Sequence, residues 1–392
     1  MTALDRALAE FHAHFAGDPD GVWEAPGRVN LIGEHTDYNG GLVLPIALPQ
    51  RTYVAARRRQ DTVLDLVSAG MPRHSPFRLD SIAPGHPAGW ERYPAGVLWA
   101  MAESGQPVSG FDAAFASDVP VGSGLSSSAA IEAAIAAAAS DLFGCGLLSD
   151  DSGRATLATW CQQAENHIAG APTGGMDQAA VLRAREGHAL NLNCADGSIH
   201  HVPFRLHDQG LALLVIDTRV EHSHATGEYG RRRADCEEAC ERLGVATLCE
   251  IPVTGLPAAM TRVNSQRLAQ RVRHVITENQ RVRLAVSAMA ANDFIELGRL
   301  FVDSHASLRD DYEVSCPQLD LAVVTALEAG ALGARMTGGG FGGSAIALVY
   351  EQALSTTQEA LLTAFEHQSF TTPRFLVAEA ARPACRTDLL RG

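Results

Sequence analysis

Residues 129–139 read AAIEAAIAAAA and continue directly from PVGSGLSSS at 120–128. Alanine is the strongest helix former because its side chain has no rotamer freedom to lose, so the segment after Ser128 is a helix. Its methyl groups are small on every face, and such a helix gains enough burial only by lying close to its neighbours. It is mostly alanine and is interrupted by Glu132, which makes it a core helix and not a membrane span. The fold must therefore carry this helix at the centre of a domain, with a glycine-bracketed loop at its N-terminus.

At 392 residues the chain exceeds one small domain and predicts two closely packed ones. Leu4, Leu8, Phe11 and Phe15 fall on one face of a predicted helix over 3–16. Residues 21–35 read as extended chain and turn. Strands are predicted at 40–48, 51–59, 62–69, 111–119, 188–197, 210–218 and 375–381, and helices at 91–104 and 153–170. A helix-rich stretch covers 225–330, broken at 251–256 and 311–318, and the glycine loop at 336–343 leads into another strand. The irregular alternation favours α+β layers over a doubly wound parallel sheet. No linker or repeat marks the boundary, which is placed at 205, giving domains 1–205 and 206–392.

The 45 acidic and 31 basic residues leave a formal charge of −14. This argues against nucleic acid or an anionic membrane as partner, since both call for a clustered basic surface. All 31 basic residues are arginine, so no lysine is available for catalysis. The eight cysteines contain no CxxC pair, and the single CxxxC, Cys236 and Cys240, lacks the second half of a zinc site. They read as the reduced thiols of a cytoplasmic protein. The opening MTALDRALAEFHAHFAG carries acids and histidines, so no signal peptide is expected.

Four polar loops carry the chemistry. In PVGSGLSSSAA, glycine turns precede a helix whose first amides are unpaired and sit at the positive end of its dipole, so the loop can hold phosphate without a lysine. A serine-capped core helix accounts for this loop alone equally well. MTGGGFGG at 336–343 contains a GxGxxG at Gly338, Gly340 and Gly343, but it opens a strand and not a helix, which excludes a dinucleotide fingerprint. APGRVNLIGEHTDYNGG at 25–41 gathers Arg28, Glu34, His35 and Asp37, a density of donors and acceptors suited to a polyhydroxylated ligand. In ENHIAGAPTGGMDQ at 165–178 a helix ends before Gly170 and a glycine loop delivers Asp177, which taken alone also reads as a turn or cap.

Together these stretches resemble the GHMP kinases, and the 25–41 and 165–178 segments resemble the galactokinases among them. EYGRRRADCEEA (228–239), RHVITENQRV (273–282) and SHASLRDDYEVSCPQLD (304–320) extend the resemblance over nearly the whole chain. It implies an α+β, two-domain GHMP kinase fold, with an S5-like N-terminal domain, a ferredoxin-like C-terminal domain and the active site in the cleft between them. It further implies transfer of the γ-phosphoryl group of ATP to the C1 hydroxyl of α-D-galactose. Asp177 matches the aspartate that takes or orients the hydroxyl proton, and Arg28 the arginine between sugar and γ-phosphate. Glu34, His35, Asp37, the backbone of Gly174 and Tyr229 match galactose contacts. Gly122, Ser123, Gly124, Leu125, Ser126, Ser127 and Ser128 match the ATP-phosphate loop, and Ser128 with Glu165 the Mg²⁺ ligands. The loop at 338–342 is expected to shape the site from the side.

Thr173 stands where many galactokinases have cysteine, and Gly175 where a bulky apolar residue is common. The resemblance leaves two rivals: a kinase for N-acetylgalactosamine or another sugar, and a galactose- and ATP-binding sensor without catalysis. The presence of Arg28, Asp177, Ser128 and Glu165 favours an enzyme, which is expected to act as a monomer or weak homo-oligomer.

Overall fold

The opening helix α1 (Ala3–His14) starts in a capping box, the Thr2 hydroxyl accepting from the Asp5 amide while the Asp5 carboxylate accepts from the Thr2 amide. In the computed structural model, which describes residues 1–220 and 225–388, α1 covers one face of a six-stranded sheet. That sheet has the order β13-β1-β3-β6-β4-β5. Its strands are β1 (Gly21–Asn30), β3 (Pro45–Arg58), β4 (Val63–Ser68), β5 (Phe77–Arg78), β6 (Phe111–Ser117) and β13 (Cys385–Arg386). Phe11 and Phe15 of the α1 segment pack on Val22, Ala55, Val67 and Ala114. Only β4 and β6 are parallel, and the chain between them carries helix α2 (Arg92–Glu103).

The alanine-rich segment is helix α3 (Ser127–Leu142), laid on the opposite face against β1 and β3. It is surrounded by α2, α4 (Asp151–Gln163) and α5 (Met176–Arg183), and Ala129, Ala130, Ala133, Ala134 and Ala136 to Ala139 are buried, as is the intervening Ile135. Small side chains are what let four neighbours approach it at once. A three-stranded sheet of β2 (Leu42–Val43), β7 (His188–Asn193) and β8 (Ile199–Pro203) completes this half.

The second half is an antiparallel sheet of β9 (Leu211–Asp217), β10 (Gly333–Thr337), β11 (Ser344–Tyr350) and β12 (Arg374–Ala378), in the order β10-β11-β9-β12. This is the ferredoxin-like order expected. Helices α6 (Ala225–Leu243), α7 (Leu256–Arg262), α8 (Gln266–Ala290), α9 (Phe294–Asp310) and α10 (Pro317–Glu328) lie between its first two strands, and α11 (Leu354–His367) between its last two. Position 205 falls between β8 and β9, yet residues 381–386 recross it. Arg382 pairs with Glu24, the Ala384 amide donates to the Val181 carbonyl, and β13 pairs with β1. The segment 206–392 therefore supplies an edge strand to the first sheet.

Helix α9 and strand β10 touch through glycines. A Cβ on Gly333 would stand 2.1 Å from the Gly298 carbonyl oxygen, and one on Gly298 2.2 Å from the Leu332 carbonyl oxygen. Neither backbone can yield, so Gly333→Ala is expected to cost about 1–3 kcal/mol or more by overpacking. Chemical denaturation checks this, with Gly230→Ala as control. Gly230 lies in α6 with nothing near its added Cβ, so that variant is expected to be neutral or slightly stabilised.

Candidate active site

The loop between β6 and α3 is shaped by left-handed backbone at Gly122 and Gly124 (both φ 76°) and at Ser126 (φ 58°). Two neighbours pin it: the Arg28 amide donates to the Leu125 carbonyl at 3.1 Å, and the Ser344 hydroxyl to the Ser123 carbonyl at 2.7 Å. Gly122, Gly124, Leu125, Ser126, Ser127 and Ser128 line a cleft of about 240 Å³, closed on its other side by Thr337, Gly339 and Gly340. Ser123 is not in this lining. It is buried, and its hydroxyl donates to the Pro120 carbonyl at 2.8 Å, so it shapes the loop. The Gly338–Gly340 segment, expected only beside the site, forms part of the wall.

Asp177 is not on the glycine loop, as the sequence suggests, but in the first turn of α5, which begins at Met176 just after Gly175. Residues 176–183, MDQAAVLR, are good helix formers, and this signal could have located the helix. Arg28 grips Asp177 with two parallel bonds, Nε to Oδ1 and Nη2 to Oδ2, both 2.8 Å. Ser126 donates a third bond to Oδ2 at 2.5 Å, and Arg28 Nη1 donates to the Gly124 carbonyl. Arg28 has five N–H donors, and these bonds engage three of them. Arg28 is 5 % exposed, and it lines both the phosphate-loop cleft and a second cavity.

That second cavity has a volume of about 250 Å³, and Glu34, His35, Asp37, Glu165, Tyr229 and Thr173 are among its walls. Gly174 packs directly on Asp37, and a Cβ there would stand 2.2 Å from Asp37 Oδ2. Burial, then the neighbouring Asp177 charge, pushes the Asp37 carboxyl up to about 6. Burial pushes His35 down to about 3, so it is a neutral imidazole at pH 7, its Nδ1 hydrogen-bonded to the Tyr38 hydroxyl at 2.9 Å. Tyr229 lies against the His35 ring, with centroids 5.4 Å apart. Glu34 is buried and paired with Arg335, and its Oε1 accepts from the Gly338 amide at 3.0 Å.

Ser128 and Glu165 meet below the phosphate loop, the serine hydroxyl hydrogen-bonding the carboxylate. Burial, then Asp177, pushes Glu165 up to about 7, and burial pushes Glu132 further in the same direction. Gln178 bridges the two acids, donating from Nε2 to both Glu165 and Glu132. A hydroxyl beside a carboxylate in a pocket of excess negative charge fits Mg²⁺, which takes one or two protein oxygens and completes its shell with water and phosphate. Neither Glu132 nor Gln178 was singled out as a site residue. An apolar cavity of about 290 Å³ also went unread. Trp90, Tyr93, Phe115 and Ile131 are in its walls, and it shares Ser127 and Ser128 with the phosphate cleft.

Comparison with known proteins identifies the family. The galactokinase galactose-binding signature matches residues 9–58, the GHMP kinase N-terminal domain 92–185 and the GHMP kinase C-terminal domain 285–367. A galactokinase of Streptomyces coelicolor is 48 % identical over 378 residues, covering 96 % of each chain. A galactokinase of Canis lupus familiaris is 41 % identical over 387 residues, covering 96 % of this chain and 95 % of the other. The crystal structure of Lactococcus lactis galactokinase complexed with galactose superposes with a TM-score of 0.93 at 32 % identity, covering 98 % of this chain and all of the other. The mevalonate kinase of Methanococcus jannaschii, at 17 % identity and a TM-score of 0.65, shares the fold over 94 % of this chain and all of its own.

Proposed function

The chain belongs to the galactokinase family of the GHMP kinases, and on that footing we propose how its cleft transfers the γ-phosphoryl group of ATP to the C1 hydroxyl of α-D-galactose. One observation carries the reading: the two cavities meet at a common wall made by Arg28, Asp177, Tyr229 and Gly339. The sugar takes the side of Glu34, His35 and Asp37, whose acceptors suit its hydroxyls. The triphosphate takes the side of the serine loop, facing the first amides of α3. The apolar cavity of Trp90 and Tyr93 is continuous with the serines and suits the nucleobase.

In this arrangement Asp177 takes or orients the C1 hydroxyl proton while the sugar oxygen forms its bond to the γ-phosphorus and the bond to the β-phosphate oxygen breaks, releasing ADP. Ser126 and Arg28 fix the carboxylate. The two Arg28 N–H groups left over are available to the phosphoryl oxygens, where negative charge is spread in a loose transition state. Ser128 and Glu165 would hold Mg²⁺, which neutralises phosphate charge when bound. The enzyme is proposed to act as a monomer or weak homo-oligomer. All eight cysteines are unpaired thiols, which supports a cytoplasmic setting. Among the described residues no helix is long and apolar enough to cross a membrane.

The direct test is ADP release with Mg²⁺ and ATP on D-galactose, D-glucose, N-acetylgalactosamine and mevalonate. Turnover is expected with galactose. Turnover with N-acetylgalactosamine alone would overturn the substrate, and tight galactose binding without turnover would identify a sensor.

Asp37 makes a pH prediction with two signs. Its folded carboxyl titrates near 6 against 3.8 when unfolded, so the folded state holds the proton more tightly. Stability of the sugar-free protein from this group therefore rises as pH falls from 7 toward 4. Galactose affinity moves oppositely if Asp37 accepts a sugar hydroxyl, weakening as pH drops through about 6. Calorimetric titration and thermal unfolding between pH 5 and 8, on the wild type and Asp37→Asn, check both slopes; flat profiles in the wild type contradict the assignment.

A further inference from the structure

The Glu34 carboxylate belongs to the first domain by sequence, but the second domain holds it. Oε2 pairs with Arg335 Nη2 on β10, while Oε1 accepts from the Gly338 amide at 3.0 Å and the Thr337 hydroxyl at 3.3 Å. Even its backbone carbonyl accepts from His274 Nε2 on α8, at 3.1 Å. Arg335 is fully buried, and its Nη1 donates to the Leu31 carbonyl at 2.9 Å, just upstream of the sugar loop.

The other acid near Arg335 is Glu278, whose Oε1 is 3.7 Å away. Glu278 is already bound by the Gly33 amide, the Ser304 hydroxyl and Arg281, at 2.7–2.9 Å. Glu34 is thus the close ionic partner of Arg335. Burial raises the Glu34 carboxyl even beside Arg335, and the Glu278 charge adds to this; losing the cation would push it further toward the protonated form, which presents a sugar hydroxyl with a donor in place of an acceptor.

We propose that Arg335 is a positioning residue for sugar recognition: from the second domain it holds the Glu34 carboxyl group in a fixed orientation in the wall of the sugar cavity. The proposal rests on the galactose reading of that cavity. Sugar selectivity is then a property of the interface between the domains and not of the 25–41 segment alone.

The test is steady-state kinetics of the full chain with galactose and ATP varied separately. Arg335→Gln is expected to raise the galactose KM roughly 10- to 100-fold, as when a polar site loses a matched acceptor, with the ATP KM changing by about twofold or less. A residue acting through another is not additive with it, so in a Glu34→Gln background the same change should add less than about threefold. Arg335→Lys, which keeps the charge but not the fork, should fall between wild type and Arg335→Gln. If Arg335→Gln does not fold, as judged by circular dichroism, Arg335→Lys is read by the same criteria. An unchanged galactose KM, an equal rise in the ATP KM, or full additivity with Glu34→Gln overturns the proposal. A wild type that does not phosphorylate galactose refutes instead the reading on which it rests.

Discussion

Asp177→Asn is expected to lower kcat for galactose phosphorylation by about 10²- to 10⁴-fold, the range for loss of a positioned proton acceptor. The substitution keeps shape and volume but replaces one oxygen by an NH₂ group. Arg28 presents N–H donors to both carboxylate oxygens, so one of its bonds becomes a contact between two donors. Ser126 loses its charged acceptor as well. Asp177 sits beside the sugar cavity without supplying most of its wall, so galactose binding by calorimetry should change only a few-fold. A variant turning over within tenfold of wild type would show that alignment by the rest of the site suffices and that no acceptor is needed at this position.

Arg28→Met is expected to be at least as severe, about 10³- to 10⁵-fold in kcat, the range observed when an arginine facing a transferred phosphoryl group is lost. Methionine approximates the length and apolar stem of a side chain that is 6 % exposed, so the packing loss is modest. The electrostatic loss is not. In the proposed mechanism the phosphoryl group loses a facing cation, and Asp177 is left near Asp37 and Glu165 with only the Ser126 hydroxyl. Because arginine and aspartate act as one unit, the double variant should be no more than about tenfold worse than Arg28→Met alone. Single-turnover measurements on the three variants decide this. Multiplication of the two effects would mean that the pair seen in the structure does not act as a pair.

Much of this was legible in the sequence because the chemistry is written in short local segments. Gly122 and Gly124 announce the turn, the alanines announce a helix that must be central, and Arg28, Glu34, His35 and Asp37 fall within ten residues. What could not be read is what depends on distant segments meeting. Arg335 stands just before MTGGGFGG, outside every predicted element; the role proposed for it appears only when β10 lies against the 25–41 segment. Tyr93 reads as the start of a helix and Trp90 stands just before it, and their cavity exists because this segment passes near Ser127 and Ser128. Glu132 was visible as an interruption in an alanine run, but its meaning needed Gln178 placed between it and Glu165. The recrossing by β13 left no compositional trace, since two residues pairing with β1 need no apolar run of their own.

That last strand has a consequence for how the molecule is made. A nascent chain folds from its N-terminus as it emerges, yet the first sheet cannot finish its edge until residue 386 has left the ribosome. Until then β1 presents an open row of backbone groups, and Glu24, buried in the finished protein, has Arg51 but not Arg382. The half that carries the phosphate loop and Asp177 is thus sealed by a segment translated long after its own strands. A premature stop near codon 380 would damage that half without deleting any residue of its catalytic loops.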